Sequence, residues 1–167
     1  MEALQHILAA VDFTPASEKA LSLATRLARD HDALLHITHV VQDAEVKAKT
    51  QEDHIEWEDA ASQLAKEAQG EIHTLFKASQ RFQRLMTDGT PLPVKMLIDV
   101  AAGRRFEEIF RRTRDIPADL LILGGHENID LSLERTSFVL DCLARMPAPL
   151  LVAWNSEGEP FMNILVA

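Results

Sequence analysis

Apolar residues along this chain fall into two spacings. Unbroken runs, as in His6-Ile-Leu-Ala-Ala-Val-Asp12, Leu120–Leu123 and Leu150–Trp154, read as strands buried on both faces, as in a parallel sheet covered by helices, and Ala33–Val41 reads as a second strand. A third strand is expected where Val94, Met96, Ile98 and Val100 alternate with Lys95, Leu97 and Asp99, a pattern that leaves one face less buried. Between these runs apolar residues return every three or four positions. Leu21, Ala24, Leu27 and Ala28 mark one helix, Phe106, Ile109 and Phe110 another, and Phe138, Val139, Cys142 and Leu143 the inward side of a last one over Leu131–Ala144. Thr14-Pro15 predicts the first helix start, a hydroxyl cap followed by proline. The long stretch from Glu45 to Met86 has helical spacing through Trp57, Ala61, Leu64, Ala68 and Ile72, with Trp57 expected to pack and Gly70 marking a break. Asp88–Pro93 reads as a loop.

Strands alternating with helices call for a doubly wound, five-stranded parallel sheet flanked by helices, a Rossmann-like α/β/α sandwich over residues 1–154. Ligands in such sheets bind at the carboxyl ends of the strands. Two ends carry chemistry: Asp12 after the first strand, and Gly124-Gly125-His126 after the fourth, where glycine lets backbone approach a ligand. Asp12 has two readings of equal weight, a ligand contact or a cap for the turn before Pro15.

Composition narrows the function. The 167 residues are 47% apolar and 26% charged, which is globular composition. With a formal charge of −9 and the arginines of 104–114 interleaved with Glu107, Glu108 and Asp115, that segment reads as a solvated helix face, and no nucleic-acid partner is expected. No apolar run approaches ~20 residues and no signal pattern opens the chain, so the expectation is a cytoplasmic protein without membrane contact. Cys142, the single cysteine, is expected in the core.

These residues resemble the universal stress protein family over nearly the whole chain. The carrying pieces are Ile7-Leu-Ala-Ala-Val-Asp-Phe-Thr-Pro-Ala-Ser-Glu-Lys-Ala-Leu21, Leu35–Val41, Ala118–His126, and Ser137-Phe-Val-Leu with Pro147–Val152. The resemblance implies the same α/β sandwich, and a homodimer made by antiparallel pairing of the last strand, here Leu150, Leu151, Val152, Ala153 and Trp154. In ATP-binding members it implies a nucleotide site, onto which Asp12, Val40, Gly124, Gly125 and Ser137 map. Two family glycines are replaced, by Glu127 and Thr136, and the loop is one residue short. A carboxylate ~4 Å from a phosphate charge costs about 4 kcal/mol at an effective dielectric of ~20. A typical hydrogen bond returns only ~1 kcal/mol. Gly124-Gly-His-Glu127 therefore looks closer to the non-nucleotide class related to universal stress protein A.

Two functional readings follow. The favoured one is a dimeric binding or regulatory protein of stress response with no cofactor and no catalytic residues; the alternative is a nucleotide-dependent switch or weak ATPase using ATP with Mg. No metal site is expected: His36 and His39, three apart on a strand, point to opposite faces, and His126 with Glu127 lacks a third ligand. Asp53–Glu56 with Glu58 and Asp59 reads as a solvated face. The tail divides into a linker, 155–160, and Phe161–Ala167. The latter is either an extra strand or the start of a truncated second repeat, because Asn163-Ile-Leu-Val-Ala167 echoes His6–Ala10.

Overall fold

Ile7, Leu8 and Ala9 are all fully buried, which successive strand residues achieve only when both faces of their sheet are covered. The computed structural model describes residues 4–79, 82, 94–125, 133–154 and 164–166. Its elements are β1 (His6–Ala10), α1 (Pro15–His31), β2 (Leu34–Gln42), α2 (Asp43–Asp53), α3 (Trp57–Ala78), β3 (Met96–Gly103), α4 (Arg105–Asp115), β4 (Leu120–Gly125), α5 (Leu133–Arg145), β5 (Leu150–Trp154) and β6 (Ile164–Val166). The sheet order is β3-β2-β1-β4-β5-β6, parallel through β5, with β6 antiparallel to it. This is the doubly wound sheet expected from the strand and helix spacings.

Alternate residues sort the core into two layers. Ile7, Ala9, Leu35, Ile37, Ile122 and Leu151 meet α1 on one face. Leu8, Leu121, Leu123, Leu150 and Val152 meet Ile109 and Cys142 on the other. Each such valine, leucine or isoleucine side chain contributes about 1.5–3 kcal/mol by leaving water. At α1 the Thr14 hydroxyl accepts from the Ser17 N–H at 3.2 Å, and Pro15 opens the helix, as the sequence predicts.

Three expectations are corrected. The long helical stretch breaks at His54–Glu56, where His54 takes a left-handed conformation (φ 53°), and Gly70 lies inside α3. A local stop needs a cap, whereas an interior glycine costs a helix only ~1 kcal/mol. Trp57, in the first turn of α3, is 42% exposed rather than packed, because its neighbours there are exposed too. The fifth strand is not an open edge along Leu151–Ala153: β6 pairs with it there, Leu151 opposite Val166 and Ala153 opposite Ile164. Leu150, Leu151 and Val152 are already buried within the chain. The loop at Asp88–Pro93 and the linker 155–160 lie outside the described residues. Among the described residues no helix is long and apolar enough to cross a membrane.

Candidate functional site

Strand order reverses between β1 and β4, and the chain leaves their carboxyl ends in opposite directions. Crevices form at such points. A cavity of about 40 Å³ lies there, with Val11, Val40, Ile109, Leu123, Phe138 and Val139 as its apolar wall. Its polar lining comes from Asp12, Ser17, Thr38, His39 and Arg105. At ~10–15 Å³ per water that space admits a few waters, and the pocket opens to solvent beyond it.

Asp12 serves the turn into α1. Its Oδ1 accepts from the Thr14 hydroxyl at 2.6 Å and the Thr14 N–H at 3.2 Å, and its own N–H donates to Ser17 Oγ at 3.3 Å. Burial alone pushes the carboxyl up. The hydrogen bonds from Thr14 and Ser17, with the charge of Arg105, outweigh burial and hold it below its ordinary value. Asp12 is therefore a turn cap that also lines the cleft as an anion. Beside it Phe13 sits at φ 61°, a left-handed conformation that costs a non-glycine residue about 1–2 kcal/mol. Its ring lies 4.7 Å from that of His39.

Gly124 lies on β4, directly against the first turn of α1. A Cβ built there would stand 2.5 Å from the Ser17 backbone nitrogen and 2.6 Å from the Ala16 carbonyl carbon. The missing side chain makes room for the helix, a role that the reading of Gly124 as a ligand contact did not include. Val40 lines the cavity and is 5% exposed. Gly125 is buried and pairs with Trp154. Thr136 and Ser137 are the fourth and fifth residues of α5, while His126 and Glu127 lie outside the described residues.

The two strand histidines separate as their spacing requires. His36 meets His6 at 3.1 Å, Nδ1 of His6 to Nε2 of His36. His39 sits at the cleft and donates through Nδ1 to the Val11 carbonyl at 2.8 Å, since a carbonyl oxygen can only accept. Among the described residues no three His, Cys, Asp or Glu side chains could hold a metal ion.

Arg105 and His39 are the site residues that the sequence reading passed over. The sequence groups Arg105 with a solvated helix face, which holds for Arg104, Arg111 and Arg114 but not for Arg105. The cause is the length of β3. It runs to Gly103, three residues past the alternating pattern, and so carries the start of α4 to the cleft rim. Gly103, at φ 150°, is the retrospective signal for that turn.

The sequence model of the universal stress protein family matches residues 3–153. No curated protein matches the chain. Among solved structures, the hypothetical protein MJ0577 aligns with a TM-score of 0.69 at 20% identity, covering 94% of this chain and 100% of that one. Universal stress protein UspA from Lactobacillus plantarum aligns with 0.62 at 20% identity, covering 92% and 99%. A universal stress protein in complex with cAMP aligns with 0.57 at 15% identity, covering 93% and 100%. At such identities the likeness concerns the fold.

Proposed function

The chain belongs to the universal stress protein family, and from that premise we propose that it is a stress-response regulator of the UspA-like class, a cytoplasmic homodimer that works by binding rather than by turnover. The observation that carries this reading is Gly124. The space its missing side chain leaves is filled by the backbone of Ala16 and Ser17, not left for a phosphate. The Asp12 carboxylate is likewise engaged by Thr14. The sequence puts Glu127 and Thr136 where ATP-binding members resemble one another in glycine. These features argue against Mg-ATP as the ligand, and no step is assigned to it. Dimerisation is proposed through the fifth strand, Leu150–Trp154, in competition with β6, which pairs along Leu151–Ala153.

A second reading, a nucleotide-dependent switch or weak ATPase, is favoured by one observation: Asp12, Val40 and Gly124 do converge on one cleft at the strand-order reversal. One neighbour of the same fold holds cAMP. Isothermal titration with Mg-ATP separates the two. No heat at millimolar ligand supports the binding regulator; a dissociation constant below ~10 μM, about −7 kcal/mol, overturns it in favour of the switch.

A further inference from the structure

We propose that the histidines at the amino-terminal end of the sheet form a proton-operated clasp on the start of β1, which lets go of Leu4 first and of His6 only on further acidification. The clasp lies at the opposite end of the strands from the cleft and is independent of the functional reading above. The elements α1, β1 and β2 each put one imidazole at residues 4–6. His31, the last residue of α1, accepts the Leu4 N–H at Nδ1, 3.4 Å away. His6 of β1 meets His36 of β2 at 3.1 Å, nitrogen to nitrogen, with the ring centres 5.4 Å apart. Asp119, one residue ahead of β4, accepts the Gln5 N–H at 2.7 Å and the His6 N–H at 2.9 Å through the same Oδ2. The Leu4 side chain packs against the core layer that holds Ile7, Leu35 and Ile122.

These contacts differ in how many protons they tolerate. A backbone N–H can only donate, so His31 Nδ1 must be bare, with its proton on Nε2; one added proton sets N–H against N–H and breaks the contact. The His6–His36 bond needs only one bare nitrogen of the two that meet. A first proton leaves an imidazolium donating to a neutral imidazole, a stronger, charge-assisted bond. A second proton breaks it by placing two cations nitrogen to nitrogen, so the pair titrates as a unit in two steps. The surroundings oppose that second step. Burial, then the charges of His6 and Arg112, hold His36 below its ordinary value. Arg112 of α4 is itself bound to Asp99 of β3, Asp115 is bound to Arg111, and Lys95 ahead of β3 is exposed. Next to His31 in the chain, Arg29 is bound to Asp30, and Asp32 caps α1. Asp119 keeps its grip throughout: the N–H groups of His6 and Gln5, with the charge of His6, hold its carboxyl below the ordinary value. Acid therefore frees Leu4 and its apolar side chain before it loosens β1.

Proton and nitrogen NMR of the full chain from about pH 7.5 to about pH 4.5, across the range where imidazoles ordinarily titrate, tests this. At neutral pH His31 is expected as the Nε2–H tautomer. On acidification the Leu4 amide signal should move with the same midpoint as the His31 ring, while the His6 amide signal holds to a lower pH. His31→Gln, whose side-chain oxygen can still accept, should abolish the Leu4 transition and leave that of His6 in place. His73→Gln, at an exposed position of α3, should change neither. A double-mutant cycle of His6→Ala and His36→Ala, read as urea midpoints, should give a coupling that persists at about pH 6 and is lost by about pH 4.5. Should a variant fail to fold, the His31 tautomer and the two amide titrations of the natural chain decide by themselves. A proton on His31 Nδ1 at neutral pH, or a Leu4 amide that ignores the His31 titration, would overturn the clasp. So would a His6–His36 coupling that is absent at neutral pH, or one that disappears together with the Leu4 contact.

Discussion

A methyl group on Gly124 has nowhere to go, because the atoms it would meet are backbone atoms of α1 rather than the ends of flexible side chains. Gly124→Ala is therefore expected to destabilise the protein by about 3 kcal/mol, the upper end for overpacking, in urea denaturation. A change below about 1 kcal/mol would mean that α1 slides freely on β4, against the close fit found here. His36 offers a second test at the same scale. Burial is the main cause that lowers its pKa, with the charges of His6 and Arg112 adding to it. A histidine with a depressed folded pKa binds its proton more readily in the unfolded chain, so its contribution to stability is full above about pH 6.5 and is lost as pH falls below that value. His36→Gln should flatten the fall in urea midpoint between pH 7 and pH 5 relative to the natural chain. Parallel pH profiles would show that His36 is not a titrating load on the fold. The chemistry of both residues was visible in the sequence only in part. Glycine at a strand end announces a close approach, but whether a helix or a ligand makes it depends on residues a hundred positions away.

Elements were legible where one signal dominated. Thr14-Pro15 and the apolar runs placed α1, β1, β4 and β5 within a residue or two, since capping chemistry and two-sided burial each leave a local mark. The region from Glu45 to Ala78 was not, because a glycine is a louder sequence signal than the His54–Glu56 segment that ends α2 and begins α3. The misreading has a measurable consequence. A Cβ at Gly70 would meet nothing within 4 Å, and its φ is not left-handed. Gly70→Ala should stabilise the protein by about 0.5–1 kcal/mol, through helix propensity and reduced freedom of the unfolded chain. A loss of stability in the thermal melt would contradict the interior, solvent-facing position of residue 70. The length of β3 mattered more for the site. Ending that strand at Val100 leaves Arg105 on a solvated face; letting it run to Gly103 delivers Arg105 to the cleft beside Asp12.

At the scale of the whole molecule the sheet has two ends of different kind. At one end β3 carries a half-buried pattern suited to an edge. At the other, β5 is a fully apolar parallel strand whose Leu150, Leu151 and Val152 are buried in the core, so what its outer side lacks is hydrogen bonding rather than burial. The antiparallel β6 supplies that bonding along Leu151–Ala153, in the orientation that the fifth strand of a two-fold mate would take. Own-chain and partner strands therefore compete for one edge, and the intramolecular strand holds it at high effective concentration. Universal stress proteins are commonly homo-oligomeric, and on this argument the homodimer proposed through Leu150–Trp154 forms against the hold of β6. A chain ending at Trp154 should dimerise at least tenfold more tightly than the full chain in sedimentation equilibrium. Adding Val152→Pro to that shorter chain should return it to monomer, because proline removes a donor from the shared edge and distorts the strand. If the shorter chain instead dimerised more weakly than the full one, β6 would be part of the contact between copies, and the fifth strand would not be the pairing edge.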